Sequence, residues 1–377
     1  MSSPSVDPAP FQLTCTPAVP ELLSRLGCTI ALSTYQAGKL VFVSAQNEER
    51  LVQLPRTFPR PMALQVNGDT LALSTLASVE FFRNDARMAA SYPPQPSTYD
   101  ALFLPRRTLQ TGQLDTHGIE WGRDGSVWIV NTRFACLARL SEEHSFEPAW
   151  SPPFVSAIAP EDRCHLNGVA FRDGQPAYAT CLSMTDEPEG WRKVLPNNGV
   201  LLNVSTNEVV ARDLPMPHSP RFVDDRLYIL LSATGELARV DTASGTVEVV
   251  EKIGGFVRGM AYYRSHLFIA HSKLRKNSST FRDLPIADEA TEAGIAILHE
   301  PSGTIVGRLA YRQSVDEIFD VAILPGLARP GIVGLDREER NLAITTPQSS
   351  YWVMRRPRDE DHSGATPQTP RGDAQSD

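Results

Sequence analysis

Three of the eight histidines stand where a short apolar strand is about to begin. They are His117 in "DTHGIEW", His165 in "HLNGVAF" and His218 in "HSPRFV". Imidazole is a common ligand of zinc, iron, copper or nickel. Three imidazoles with the carboxylate of Glu317 would suit a catalytic divalent ion that keeps one position open. No local HxH or HExxH spacing is present, so this cofactor reading needs the fold to bring His117, His165, His218 and Glu317 together. In a polar channel the same histidines could instead bond neighbouring backbone. An imidazole titrating near neutrality also suits a general base. His117 and His218 are the candidates for that role, with Glu317 or Asp320 to orient them.

Arginines crowd the same strand ends: Arg60, Arg133, Arg163, Arg221 and Arg258. A fixed guanidinium beside a divalent ion is unfavourable unless an anion bridges the two, so Arg258 counts against the metal. Gathered at one place, these arginines would hold a carboxylate, phosphate or sulfate through bidentate contacts. They could equally pair with nearby carboxylates such as Glu161, Asp162 and Asp316, and both readings stay open. Tyr35, Asn131 and Asn167 complete the ligand-binding set with Arg60, Arg133, Arg221 and Arg258. Trp191, in a long polar loop, would be a lid residue. No Walker, dinucleotide or GxSxG pattern is present.

Side chains so far apart in order need a scaffold that repeats. Short apolar runs such as "TIALSTY", "KLVFVSA", "SVWIVNT" and "RLYILLS" alternate with turns such as "VNGD" and "RDG". They are β-branched, aromatic-rich and of strand length, and nothing between them reads as a long amphipathic helix. A template of extended stretch, turn and more apolar strand starts near Pro61, His117, Asn167, His218, Arg258 and Phe319. A period of roughly 40–60 residues built of short strands predicts an all-β β-propeller of six four-stranded blades, although a seventh, irregular blade would also fit. The N-terminal strands, residues 28–54, would complete the blade that the last strand begins. One propeller domain over 11–356 is expected, with disordered tails over 1–10 and 357–377.

In that fold the template's first residues ring one mouth of the central channel. His165 and Glu317, each two residues before a ring position, would point to the same side in an extended chain. The long stretches Ser183–Gly199 and Ser272–Gly294, with part of Ala90–Gln113, would overhang this mouth. Long loops on one face of a rigid scaffold are the usual place for binding sites.

A formal charge of −8 argues against nucleic acid or an anionic membrane as partner and leaves a small molecule as the expected ligand. The first residues lack the basic and apolar regions of a secretory signal, and no apolar run approaches membrane-helix length. Five cysteines without CxxC spacing read as reduced thiols of a cytoplasmic protein.

Several stretches resemble a family of bacterial conserved hypothetical proteins that carry a domain of unknown function. They include "STYQAGKL", "FPRPMAL", "DTHGIEW", "WIVNTRFACLARL", "PPFVSAIAPEDRCHLNGVA", "MPHSPR", "TGELARVD" and "DEIFDVAILPG". The similarity spans residues 20 to 330, and many of these stretches coincide with the mouth positions. The resemblance implies a propeller-like domain and no particular chemistry. Two functions are therefore expected to compete. One is a small-ligand enzyme of the metal-dependent hydrolase, lactonase or lyase kind. The other is a non-enzymatic ligand- or protein-binding scaffold.

Overall fold

The computed structural model describes residues 11–274 and 280–353. Six antiparallel sheets follow one another along the chain as the blades of a propeller. Their innermost strands are Leu64–Asn67, Thr116–Trp121, Leu166–Arg172, Pro217–Val223, Phe256–Tyr263 and Asp320–Pro325. These open blades 1 to 6 respectively. Blade 6 closes the ring, because Asp320–Pro325 pairs with the N-terminal strand Cys28–Thr34, which is followed by Lys39–Ala45 and Leu51–Thr57.

What holds the ring is a wedge of apolar side chains at every blade junction. Successive side chains of a strand point to opposite faces, so one strand feeds two wedges. In Lys39–Ala45, Leu40 and Phe42 pack towards blade 1 with Leu64, Leu71, Phe82 and Phe103. Val41 and Val43 pack towards blade 5 with Phe268, Ala270 and Ile295. Similar wedges join blades 1 and 2, 2 and 3, 3 and 4, and 4 and 5. Burial on both faces explains why the strands read as nearly continuous apolar runs.

Three additions surround this frame. A helix over Ala18–Leu26 buries Val19, Leu22, Leu23 and Leu26 against blades 5 and 6. Gly27, left-handed at φ 61°, ends it, and its N–H reaches the carbonyls of Leu23 and Ser24. Leu13–Cys15 adds a fifth strand to blade 5, and Pro330–Ile332 adds a parallel one to blade 1. The stretch Ala90–Gln113, expected partly over the mouth, supplies the long outer strand Ala101–Gln110 of blade 1 and no residue of the cavity lining. The expected tails over 1–10 and 357–377 lie outside the described residues. Among the described residues no helix is long and apolar enough to cross a membrane.

Candidate functional site

The entry to the innermost strands carries a repeated local device. Asp115, His165 and Met216 adopt left-handed backbone, at φ 50°, 53° and 56°, two residues before His117, Asn167 and His218. This kink turns the Asp115 carbonyl back onto His117, whose Nδ1 donates to it at 2.9 Å. His218 Nδ1 donates to the Met216 carbonyl in the same way at 3.1 Å. Each imidazole also meets a hydroxyl from the second strand's end, Thr132 at 2.7 Å and Ser232 at 2.7 Å. Those hydroxyls spend their own protons on the next blade, on the carbonyls of Leu166 at 2.6 Å and Val257 at 2.5 Å.

The partners fix the tautomer. A carbonyl cannot donate and the hydroxyl proton is already used, so Nδ1 carries the hydrogen and Nε2 is left as a bare acceptor. Both Nε2 atoms are buried without a hydrogen-bond partner. Burial first, then neighbouring charges that include Arg258 and His165, hold both imidazoles well below their ordinary pKa. His117 and His218 are therefore neutral at pH 7.

A glycine or serine follows His117, Asn167, His218 and Arg258, where the blades come close. A Cβ on Gly168 would lie 2.4 Å from Pro220 Cδ, and one on Gly259 would lie 2.6 Å from Asp320 Cα. Ser219, after His218, donates its hydroxyl to the Arg258 carbonyl of blade 5.

Above this ring lies a cavity of about 860 Å³. It gathers Tyr35, Arg60, His117, Arg133, His165, Arg258 and Glu317 from the sequence-derived set. Four others of that set lie elsewhere. His218 is buried beneath Phe256, with their ring centres 6.0 Å apart. Asn167 is 2% exposed and accepts from the Thr180 hydroxyl, while Asn131 accepts from the Phe134 N–H in a tight turn. Arg221 sits farther down the channel, 3.6 Å from Glu120.

That lower layer also holds Gln65, which donates to Glu120, and Asp320, which accepts from the Leu64 and Val321 N–H groups. Asp320 therefore orients backbone and no histidine. Burial raises the pKa of Glu120, and it pushes that of Asp320 up to about 7.

The expected metal set does not assemble. Among the described residues no three His, Cys, Asp or Glu side chains are grouped to hold an ion. Glu317 is bound to the Arg258 guanidinium, and the Nδ1 atoms are committed to backbone and side-chain partners.

The cavity floor is aromatic. Phe319 lies 5.1 Å from His117 and 5.9 Å from Tyr35, ring centre to ring centre. Arg258 sits over Phe319 at 4.6 Å and Arg60 over Tyr35 at 5.7 Å. Two loops roof it as expected, through Pro188, Glu189, Trp191 and Arg192 from one and Leu274 and Phe281 from the other. A small apolar cluster of Leu182, Trp191, Met216, Ala233, Phe256, Leu284, Ile286 and Ala290 fixes them.

Most wall charges are cancelled locally. Arg133 meets Asp115 at 2.5 Å, Arg192 meets Glu189 at 3.0 Å and Lys273 meets Asp316 at 2.6 Å. Arg163, expected at the mouth, stays outside the lining and ties the lining residue Glu161 to Asp186. Arg60 is paired with no carboxylate among the described residues. The Nε–H groups of Arg133 and Arg258 are buried and unpartnered.

Sequence reasoning passed over the partners of His165. Its Nδ1 meets Asp162 Oδ2 at 2.9 Å, and the indole N–H of Trp191 donates to the same oxygen at 3.0 Å. The "EDRCH" spacing was visible, but an extended chain would not have joined positions 162 and 165. Left-handed backbone at Asp162 and His165, φ 45° and 53°, makes that turn.

Comparison with known proteins agrees with this architecture. A crystal structure titled as a nidogen/laminin complex matches with a TM-score of 0.50 at 10% identity, over 79% of this chain and 99% of that one. A protein of unknown function from Bacteroides caccae matches with a TM-score of 0.48 at 9% identity, over 79% and 98%. The first likeness is one of fold alone. No curated protein matches the sequence. The model of the family "Domain of unknown function (DUF4915)" matches residues 17–333, and the chain belongs to that family.

Proposed function

We propose that the roofed mouth of the propeller binds a small ligand carrying an acidic group. The observation that supports this most directly is Arg60. It is a guanidinium on the wall of an aromatic-floored cavity, with an aromatic ring beneath it and no carboxylate partner among the described residues. Two further guanidiniums on the same wall, Arg133 and Arg258, keep an unpartnered buried Nε–H each. An unmade bond to a buried charged donor is costly, and an anion would make it. The cavity volume falls in the range that suits small molecules, and Trp191 and Phe281 in the roof would cover the ligand's carbon skeleton.

Calorimetric titration tests the reading. The panel is 2-oxobutyrate, glutarate, gluconate, inorganic phosphate and the neutral polyol sorbitol. At least one anion should bind while sorbitol does not, and Arg60→Ala should weaken that binding tenfold to a hundredfold, the size of a charged hydrogen bond of roughly 1.5–3 kcal/mol. Binding of no anion, or unchanged binding in the Arg60→Ala variant, would defeat it.

A further inference from the structure

We infer that the mouth is also a catalytic site, in which His165 is the general base for enolisation of a bound keto acid. This rests on the anion-binding reading above. Two features of the cavity wall, different in kind, carry the inference. One is the Arg60 guanidinium. The other is the pair formed by Asp162 and His165.

The second is built as a proton acceptor. Asp162 holds the Nδ1 side of His165 at 2.9 Å and is itself fixed by the Trp191 indole N–H at 3.0 Å. Its backbone N–H is tied to the Arg133 carbonyl at 2.9 Å. The tryptophan ring covers the imidazole, 4.3 Å between ring centres. With Nδ1–H given to the carboxylate, Nε2 is the basic nitrogen. That side chain is 12% exposed and lines the cavity. Left-handed backbone at Asp162 and His165 turns the chain so that this contact forms.

The geometry around it selects the substrate. His165 touches His117 at 4.9 Å, His117 touches Phe319 at 5.1 Å, and Arg258 lies over Phe319 at 4.6 Å. The base and the guanidiniums thus border one floor from different sides. A carboxylate on Arg60 would set a keto acid's carbon skeleton on the Tyr35–Phe319 floor, which His165 borders through His117. A C–H beside a bare carboxylate is too weak an acid for imidazole, whereas one beside a ketone is within its reach. The step balances without any co-reactant. The C–H bond breaks, its proton goes to His165 Nε2, and its electron pair forms the enolate, whose oxygen charge faces the Arg258 guanidinium. Return of the proton restores the keto acid.

The test uses the full chain in D2O, with 2-oxobutyrate and 2-oxoglutarate followed by proton NMR. Butyrate and glutarate serve as binding controls without a ketone. The wild type should exchange the protons beside the ketone well above the buffer rate. His165→Gln should lose at least a hundredfold of that rate while keeping affinity within threefold. Asp162→Asn keeps an oxygen for both donors but removes the negative charge that steadies the imidazolium, and should slow exchange. Asparagine tolerates the left-handed backbone at this position. Keto acids that bind without exchange overturn the catalytic inference and leave the binding site standing. Exchange that survives in His165→Gln also overturns it. If none of these acids binds while gluconate or phosphate does, the keto-acid inference falls and the anion-binding reading stands.

Discussion

Thr132 and Ser232 hold the same post in two different blades. Each hydroxyl meets Nδ1 of its own blade's histidine and donates to a carbonyl at the start of the next blade's inner strand. Ser33 and Ser272 repeat the second half of this arrangement, donating to the carbonyls of Met62 and Ile318. One hydroxyl thus both aims a ring residue and staples adjacent blades. Thr132→Val and Ser232→Ala should each cost about 1–3 kcal/mol, the toll of a buried carbonyl left unbonded. Urea unfolding would measure the loss, and a loss below a few tenths would show that the staples carry no stability.

Blade spacing at the channel leaves no volume for a methyl group at Gly259. A Cβ there would meet the backbone of blade 6's inner strand, with Asp320 Cα at 2.6 Å, Val321 N at 2.9 Å and Asp320 C at 3.0 Å. Backbone cannot rotate away as a side chain can. Gly259→Ala should therefore lower stability by roughly 1–3 kcal/mol or more, the usual toll of overpacking, whereas Gly68→Ala, open but left-handed at φ 55°, should carry only the roughly 1 kcal/mol of a left-handed alanine. Thermal melts of the two variants make the comparison.

Acidity in the channel should show in the stability curve. Asp320 has a pKa of about 7 in the fold, against about 3.9 when unfolded. Its folded pKa is raised, so the folded chain binds the extra proton between these values. Stability from this group is then full below about pH 4 and declines as pH rises to about 7. The decline should be on the order of 2 kcal/mol once channel water and the facing Arg221, Glu120 and Gln65 are counted. Asp320→Asn should flatten it, at the expense of one backbone hydrogen bond at acid pH. Unfolding curves between pH 4 and 8 provide the check, and an equally steep decline in the variant would place the titration elsewhere.

Trp191 should report on ligand binding. It is 2% exposed, stacks on His165 and lies under Arg192 at 4.3 Å. A ligand that reaches His165 changes the indole's surroundings directly, so tryptophan fluorescence should shift on titration with a bound anion. Trp191→Phe should remove that signal. It should also weaken binding by only a few-fold, because the ring's cover remains while the Asp162 hydrogen bond goes.

Much of this architecture was legible because it follows from period and residue type. Alternating wedges impose apolar runs such as "KLVFVSA", and close approach at the channel imposes glycine after His117, Asn167 and Arg258. The closing of blade 6 by the N-terminal strands could be read from the count of incomplete repeats. What escaped was set by backbone sign. His165 was expected on an extended strand beside Asn167. The left-handed turn instead gives His165 to the cavity and Asn167 to a buried bond with Thr180. The helix Ala18–Leu26 was missed because nine residues ended by Gly27 are too short for periodicity to dominate. The metal set failed for a reason of chemistry. Glu317 had a cationic neighbour, Arg258, that the sequence placed in the same ring without saying which carboxylate it would bind.

Ring closure also has a temporal side. The cavity floor stacks Tyr35 on Phe319, so residues nearly three hundred positions apart must meet before the pocket has a bottom. A ribosome has to release almost the entire propeller before any ligand can be held. Until then the strands at both open ends of the arc are unpaired and prone to join a neighbouring copy. Ligand capture by this protein would therefore certify that its synthesis is finished and its circle complete.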